Sequence, residues 1–343
     1  MSPLRVHLDK SCSAGLSATL SDSGGLFTIT EPADADVVIF GSDDFAYVAG
    51  NRLFRAYRSK AICVTESDIP TFRLPGLYAA NAHSLVTGSR TRTINYFISD
   101  RERGNSEVKR LIGADIEKRY LYSFMGGSNS WARKRLFRAV VSLADTLIEP
   151  TDSYNHWIDD PANGELRAKQ MRRYAQVMAA SKFTLCPRGC GLSSYRLFES
   201  MSLGVAPVII SDKWRPIEVI DWNFALFIRE SQIPQLDQIV RSHESEWKER
   251  GQAGQVEFRR ALAPDRVAGM LHDGIVEILD GWDPVREAVT LPITQVRAKI
   301  RFAYWAVYKQ FKYLVLRGFQ LTGRNVPIQL NHPIEVQLRR KNS

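Results

Sequence analysis

Short apolar runs return along this chain at the spacing of strands, and a polar stretch of helical character follows nearly every one. In the first hundred residues Val37-Val-Ile-Phe40 precedes the stretch Asn51 to Lys60, which leads into Ala61-Ile-Cys-Val64. The second half repeats the pattern more plainly. It reads as a strand from Tyr120 to Met125, a helix from Asn129, a helix reaching Ala180, a strand from Lys182 to Cys186, a helix from Ser194 to Leu203 and a strand from Val205 to Ile210. Apolar runs alternating with helices are βαβ units. A strand, a crossover helix and a parallel strand close in one right-handed sense, so their repetition gives an open, doubly wound parallel sheet.

At 343 residues the chain exceeds what one such core usually serves. Between Ser99 and Arg119 it turns polar, with Gly104 and Gly113 as breakers. The expected fold is therefore α/β with two facing Rossmann-like domains, over residues 1–115 and 116–285, followed by a segment 286–343. The net charge of +9 is not spread evenly: residues 291–343 carry ten Lys/Arg against one acid, Glu335, which leaves the rest balanced at 36 against 36. A nucleic-acid-binding domain shows a basic face within its fold, so nucleic acid is not an expected partner. Four cysteines without zinc or redox spacing suggest a reducing compartment. Residues 1–10 lack the pattern of a secretory signal, and no run of about 18 apolar residues suggests a membrane span. The expected location is the cytoplasm.

In an open α/β sheet, ligands sit at the carboxyl ends of the strands, so the loops after Met125, Cys186 and Ile210 should share one rim. The first of these loops is Gly126-Gly-Ser-Asn-Ser-Trp-Ala-Arg133, in which glycines permit close backbone approach and a helix N-terminus follows. Arg133 would face an anion there; the same residues also suit a tight turn, a capped helix and an exposed arginine. The second loop is Pro187-Arg-Gly-Cys-Gly-Leu-Ser-Ser-Tyr-Arg-Leu-Phe-Glu199, entering a helix capped by Ser193 or Ser194. Arg196 falls in the first turn, at the positive end of the macrodipole, where a cation costs about 0.3–1 kcal/mol unless an anion compensates it. Glu199 follows about 4.5 Å further along the same face, roughly the step from a phosphate to a ribose. An i, i+3 surface salt pair explains that spacing equally well. Gly204 reads as the end of the helix.

Three consecutive stretches, Phe183-Thr-Leu-Cys-Pro-Arg-Gly, Ser194-Tyr-Arg-Leu-Phe-Glu-Ser-Met and Gly204-Val-Ala-Pro-Val-Ile-Ile-Ser-Asp212, resemble the exostosin family, as do Ile220-Asp-Trp222 and Ile228-Arg-Glu230. The resemblance covers about residues 120 to 240. It implies an inverting glycosyltransferase of GT-B type, with the nucleotide, usually UDP, on the C-terminal domain. Carried over by residue, it makes Arg196 and Glu199 the diphosphate and ribose contacts and Arg133 a second phosphate contact. It places Tyr174 near the nucleotide and adds Arg188 and Ser194 to the donor site. Tyr174 also fits a core stripe with Met171, Ala175 and Met178.

The first hundred residues resemble the family in pattern only, which leaves the catalytic base open. Inversion needs a base beside the acceptor hydroxyl. Strand-end carboxylates are the candidates: Asp43 and Asp44 after one strand, Glu66 and Asp68 after another. Each also suits a turn or a helix cap. Asp34-Ala-Asp36 has the spacing of a metal chelate but precedes its strand. With arginines and a helix terminus at hand a metal is not required, and the sequence does not decide whether one binds. From Thr294 to Phe319, Val296, Ile300, Ala303, Tyr304, Val307, Phe311 and Leu314 share a helical face among several Lys/Arg. Such a helix suits the inner face of an anionic membrane, or packing back on the first domain. The expected function is transfer of a sugar from a nucleotide-sugar, with UDP the expected nucleotide, onto a glycan or lipid-linked acceptor. A catalytically silent nucleotide-sugar-binding subunit is the alternative.

Overall fold

The computed structural model describes residues 2–68, 74–82, 90–96, 105–140, 142–151 and 164–283, together with isolated positions from 285 to 307. The segment 294–319 lies almost wholly outside the described residues. The first sheet is built from β1 (Leu4–Leu8), β2 (Phe27–Ile29), β3 (Val37–Phe40), β4 (Ala61–Thr65), β5 (Gly76–Tyr78) and β6 (Thr91–Thr93), in the order β2-β1-β3-β4-β5-β6. Every pairing in it is parallel. Helices α1 (Ala14–Ser21), α2 (Phe45–Gly50) and α3 (Arg52–Ala56) connect the early strands. β3 and β4 are buried along their whole length, as strands covered on both faces must be.

After α4 (Ser106–Arg110), the second sheet follows: β7 (Tyr120–Gly126), α5 (Trp131–Ala139), β8 (Thr146–Pro150), α6 (Gly164–Ala179), β9 (Ser181–Pro187), α7 (Tyr195–Leu203), β10 (Ala206–Ile210) and β11 (Leu226–Ile228). Its order is β11-β10-β9-β7-β8, again parallel throughout. Three further helices complete the described chain: α8 (Leu236–Ser242), α9 (Trp247–Glu257) and α10 (Val267–Asp280). The two parallel-sheet α/β domains expected from the sequence are present. Gly204 ends α7 with φ +69°, in the left-handed region that glycine enters without penalty.

Two elements show how the domains are joined. α4 packs on α6 of the second domain, where Asn105 Nδ2 donates to the Met171 carbonyl at 3.0 Å. α10 leaves the second sheet and lies against β5, β6 and α1 of the first, with Arg92 bound to Glu277 at 2.6 Å. One apolar cluster runs through both domains, from Val6, Leu77 and Ile94 to Leu197, Trp214 and Leu271. The seam is also polar: Thr93 Oγ1 donates to the Arg215 carbonyl at 2.9 Å, and the Thr93 N–H donates to Glu218. No described helix is long and apolar enough to cross a membrane.

Candidate functional site

The three loops expected to share a rim are tied together by hydrogen bonds. Ser130 is the pivot of the first. Its hydroxyl caps α5 by accepting the Arg133 N–H at 3.2 Å and donates to the Arg188 carbonyl at 2.8 Å, which joins the loop after β7 to the loop after β9. The Arg188 N–H donates to the Ile210 carbonyl, and Ser211 Oγ donates to the Leu192 carbonyl at 2.7 Å, joining both to the end of β10. Parallel strands put all three carboxyl ends on one edge, so residues 60 to 80 positions apart meet there.

Arg133 and Arg196 lie side by side in this rim, both buried. Phe124, near the end of β7, supports both: the guanidinium carbons lie 5.5 Å and 4.4 Å from its ring centroid, and Arg196 is also 5.3 Å from the Tyr174 ring. Arg196 donates to the Met125 carbonyl, and Arg133 makes long contacts of 3.4 Å to the Pro187 and Gly127 carbonyls. Neither guanidinium has a carboxylate within ion-pair distance among the described residues. Burial, and then the charge of Arg196, lower the pKa of Arg133 to about 10. A desolvated cation–π contact is worth on the order of 2 kcal/mol, less than the several kcal/mol of taking an ion out of water. The pair is thus under-compensated, and an anion is the group that would balance it.

The helix terminus beside them is open in the same sense. Ser194 is the N-cap residue of α7, but its side chain makes no cap hydrogen bond, and among the described residues the buried Ser193 Oγ has no hydrogen-bond partner. α5, in contrast, is capped by Ser130. Uncapped amides and a positive helix end make an anion site.

Two of the expected donor contacts are engaged by protein. Glu199 is buried, accepts the Tyr174 hydroxyl at 2.6 Å and takes a backbone N–H from Asn105. Burial raises its pKa, partly opposed by Tyr174 and Arg196. Its carboxylate therefore holds Tyr174 and offsets Arg196 from behind, where the sequence reading assigns it to a ribose. Tyr174 is at once core and site, since its hydroxyl fixes Glu199 while its ring supports Arg196. Arg188 is bound to Glu230 at 2.6 Å and 3.3 Å, and Asp212 accepts the Glu230 N–H at 2.8 Å. That leaves Arg133 and Arg196 as the cations facing each other, with Arg188 closing the loop's far side.

The base candidates separate clearly. Asp44 caps α2, accepting from the Ala46 and Tyr47 amides at 2.8 Å and 3.1 Å. Glu66 lines a cavity of about 60 Å³ in its own domain with Ser11, Ser13 and Thr65. Asp68 lies against the donor loop: it accepts the Tyr96 hydroxyl at 3.0 Å and the Gly191 N–H. Asp36 of the Asp-x-Asp pair is held by Arg5 at 2.6 Å, and no metal-capable trio of side chains occurs among the described residues. Phe124, Asn105 and Tyr96 were not singled out from the sequence. Phe124 carried a signal, as an aromatic one residue before the strand end that opens a glycine loop; Asn105 and Tyr96 act through tertiary contacts that spacing does not show.

Residues 106–243 match the family model described as the Exostosin GT47 domain. The "Exostosin-1 homolog" of Caenorhabditis elegans is 31% identical over 113 residues, 32% of this chain and 29% of that protein. "Exostosin-1" of Drosophila melanogaster is 31% identical over 136 residues, 36% of this chain and 18% of its own. The "Probable glucuronosyltransferase GUT1" of Oryza sativa subsp. japonica is 35% identical over 119 residues, covering 34% and 27%. The chain thus spans less than a third of the length of these relatives. A solved structure titled as that of WaaG, a glycosyltransferase involved in lipopolysaccharide biosynthesis, overlaps 78% of this chain and 99% of its own, with 10% identity and a TM-score of 0.36.

Proposed function

We propose that this protein, whose residues 106–243 match the Exostosin GT47 family model, is an inverting glycosyltransferase that takes its sugar from a UDP-sugar. The observation that carries the reading is the buried pair Arg133 and Arg196, without an ion-pair partner among the described residues and set beside the N-terminus of α7, which Ser194 leaves without a side-chain cap. A nucleoside diphosphate supplies the missing negative charge in ground state and leaving group alike. As the bond to the sugar breaks, charge grows on the departing phosphate oxygens, and preorganised donors aimed there lower the barrier. Phe124 and Tyr174 hold the Arg196 plane, and Glu199 holds Tyr174, so the clamp is set before the donor arrives.

The acceptor is a glycan or a lipid-linked glycan. The basic segment 294–319 supports the lipid-linked case, since apolar area with Lys/Arg suits the anionic inner face of a membrane. Flotation with anionic vesicles checks this part: binding by the full chain that disappears on deletion of 291–343 is expected, and equal flotation of both forms removes it. The donor reading is checked by calorimetric titration with UDP, GDP, CMP and dTDP. Selective binding of UDP, weakened strongly in Arg196→Lys, is expected. Binding of none of the four, or unaltered binding by the variant, defeats the reading. The names of the rice relatives put UDP-glucuronate first in the panel of sugars to try.

A further inference from the structure

A carboxylate of the first domain meets the donor loop. Asp68 follows the carboxyl end of β4, accepts the Tyr96 hydroxyl at 3.0 Å and accepts the N–H of Gly191 in the loop between β9 and α7. The fit is close enough that a Cβ on Gly191 would lie 2.4 Å from Asp68 Oδ1 and 2.6 Å from the Tyr96 hydroxyl oxygen. Tyr96 is buried, and its ring stacks on Tyr195, the first residue of α7, at 4.6 Å between centroids. Asp68 is thus fixed relative to the helix terminus that receives the diphosphate, although it belongs to the other domain. Its own surface remains exposed to solvent.

We infer that Asp68 is the general base that takes the proton from the acceptor hydroxyl, and that Tyr96 is the residue that positions it. The inference rests on the donor reading above. In the step, the acceptor O–H bond breaks and its proton passes to an Asp68 carboxylate oxygen. The acceptor oxygen forms a bond to the anomeric carbon as that carbon's bond to the diphosphate breaks. UDP leaves with the bonding electron pair, and Arg133 and Arg196 receive its charge. No further reactant is needed. The geometry suits this assignment better than it suits Asp44, which is spent as a helix cap, or Asp9, which already accepts from Ser11, Tyr47 and Asn51.

The surroundings also tune the group for the task. Crowding by both domains raises the Asp68 pKa, opposed by the Tyr96 hydroxyl, the Arg133 charge and the Gly191 N–H. Besides these, the titratable group coupled to it is the Cys190 thiol. A carboxylate whose pKa is raised holds the proton it takes more readily.

The test uses the full chain, UDP for affinity, and release of UDP from UDP-glucuronate, UDP-glucose, UDP-galactose and UDP-N-acetylglucosamine for turnover, with water as the acceptor. Asp68→Asn should bind UDP within threefold of the parent, which shows that it is folded, and release UDP at least about 100-fold more slowly, the lower end of a general base's contribution. Tyr96→Phe removes a hydrogen bond that favours the ionised form, so the acid limb of kcat/KM should move to higher pH with UDP affinity retained. Asp44→Ala should behave as the parent. Turnover by Asp68→Asn within threefold of the parent overturns the inference alone, as does a parent that binds UDP yet turns over none of the four. A parent that binds no UDP overturns the donor reading and this inference with it.

Discussion

In the second domain the rim of the sheet is furnished by stretches that lie close in sequence, 124–133 and 187–199, whereas the first domain brings Asp68 to the same place from across the seam. The difference fits the roles proposed for each side. A diphosphate is the same object in every nucleotide donor, and short motifs of glycine, arginine and helix terminus suffice to hold it. A base must instead stand at a set distance from a group bound elsewhere, so its place is fixed by how two domains meet. Arg133 and Arg196 are consequently held by their own domain, through Phe124, Met125 and Tyr174. Asp68 is held at the seam, by Tyr96 of its own domain and Gly191 of the other.

That contrast breaks if the two sides fail to separate in binding and turnover. On UDP affinity the largest effect is expected for Arg196→Lys, which keeps the charge and loses the planar fork stacked on two rings. UDP affinity should fall by about 2 kcal/mol, roughly 30-fold, on the scale of hydrogen bonds to charged groups. Titration calorimetry reads this, and an affinity within threefold of the parent would detach the clamp from α7. Gly191→Ala comes next. The added methyl displaces Asp68 and Tyr96, so turnover should drop about 10-fold while UDP affinity stays within threefold, since misplacement of a reacting group is felt in rate. Equal losses in both would mean that the loop serves the donor alone.

Arg133→Met sharpens the comparison from the stability side. It removes one of two buried like charges, so the ligand-free protein should gain on the order of 1 kcal/mol in denaturant unfolding while UDP binds more weakly. A loss of stability in the free protein would show that Arg133 is compensated without ligand. Tyr174→Phe leaves the buried Glu199 short of a donor and should destabilise the protein by about 1 kcal/mol, with UDP affinity reduced only a few-fold. The smallest functional effect belongs to Asp44→Ala: about 1 kcal/mol of stability for the lost cap, and no change in UDP release. A drop in turnover there would return Asp44 to the catalytic question.

Much of the fold was legible because burial on both faces writes itself into composition. Val37–Phe40 and Ala61–Val64 are unbroken apolar runs because no face of either strand meets water. β5 and β6, three residues each, carry too little sequence for a pattern, and Thr91-Arg-Thr93 is polar, so nothing in them announces a strand. Arg133, Arg196 and the glycine loops were readable as chemistry because their spacing follows the period of the helices that carry them. For Glu199 three residues of helix fix its height and face, but its bond to Tyr174 depends on where α6 packs.

By itself, then, the sequence determined two parallel sheets, the edge that gathers the three loops and the pair of arginines set there, because hydrophobic period, capping and chain connectivity are local rules. Tertiary structure decided what each carboxylate does. Asp44 became a cap, Asp36 a partner of Arg5, Glu199 a support for Tyr174, and Asp68 the group at the seam. A carboxylate's role depends on the water it loses and the donors it meets, and both come from residues distant in the chain.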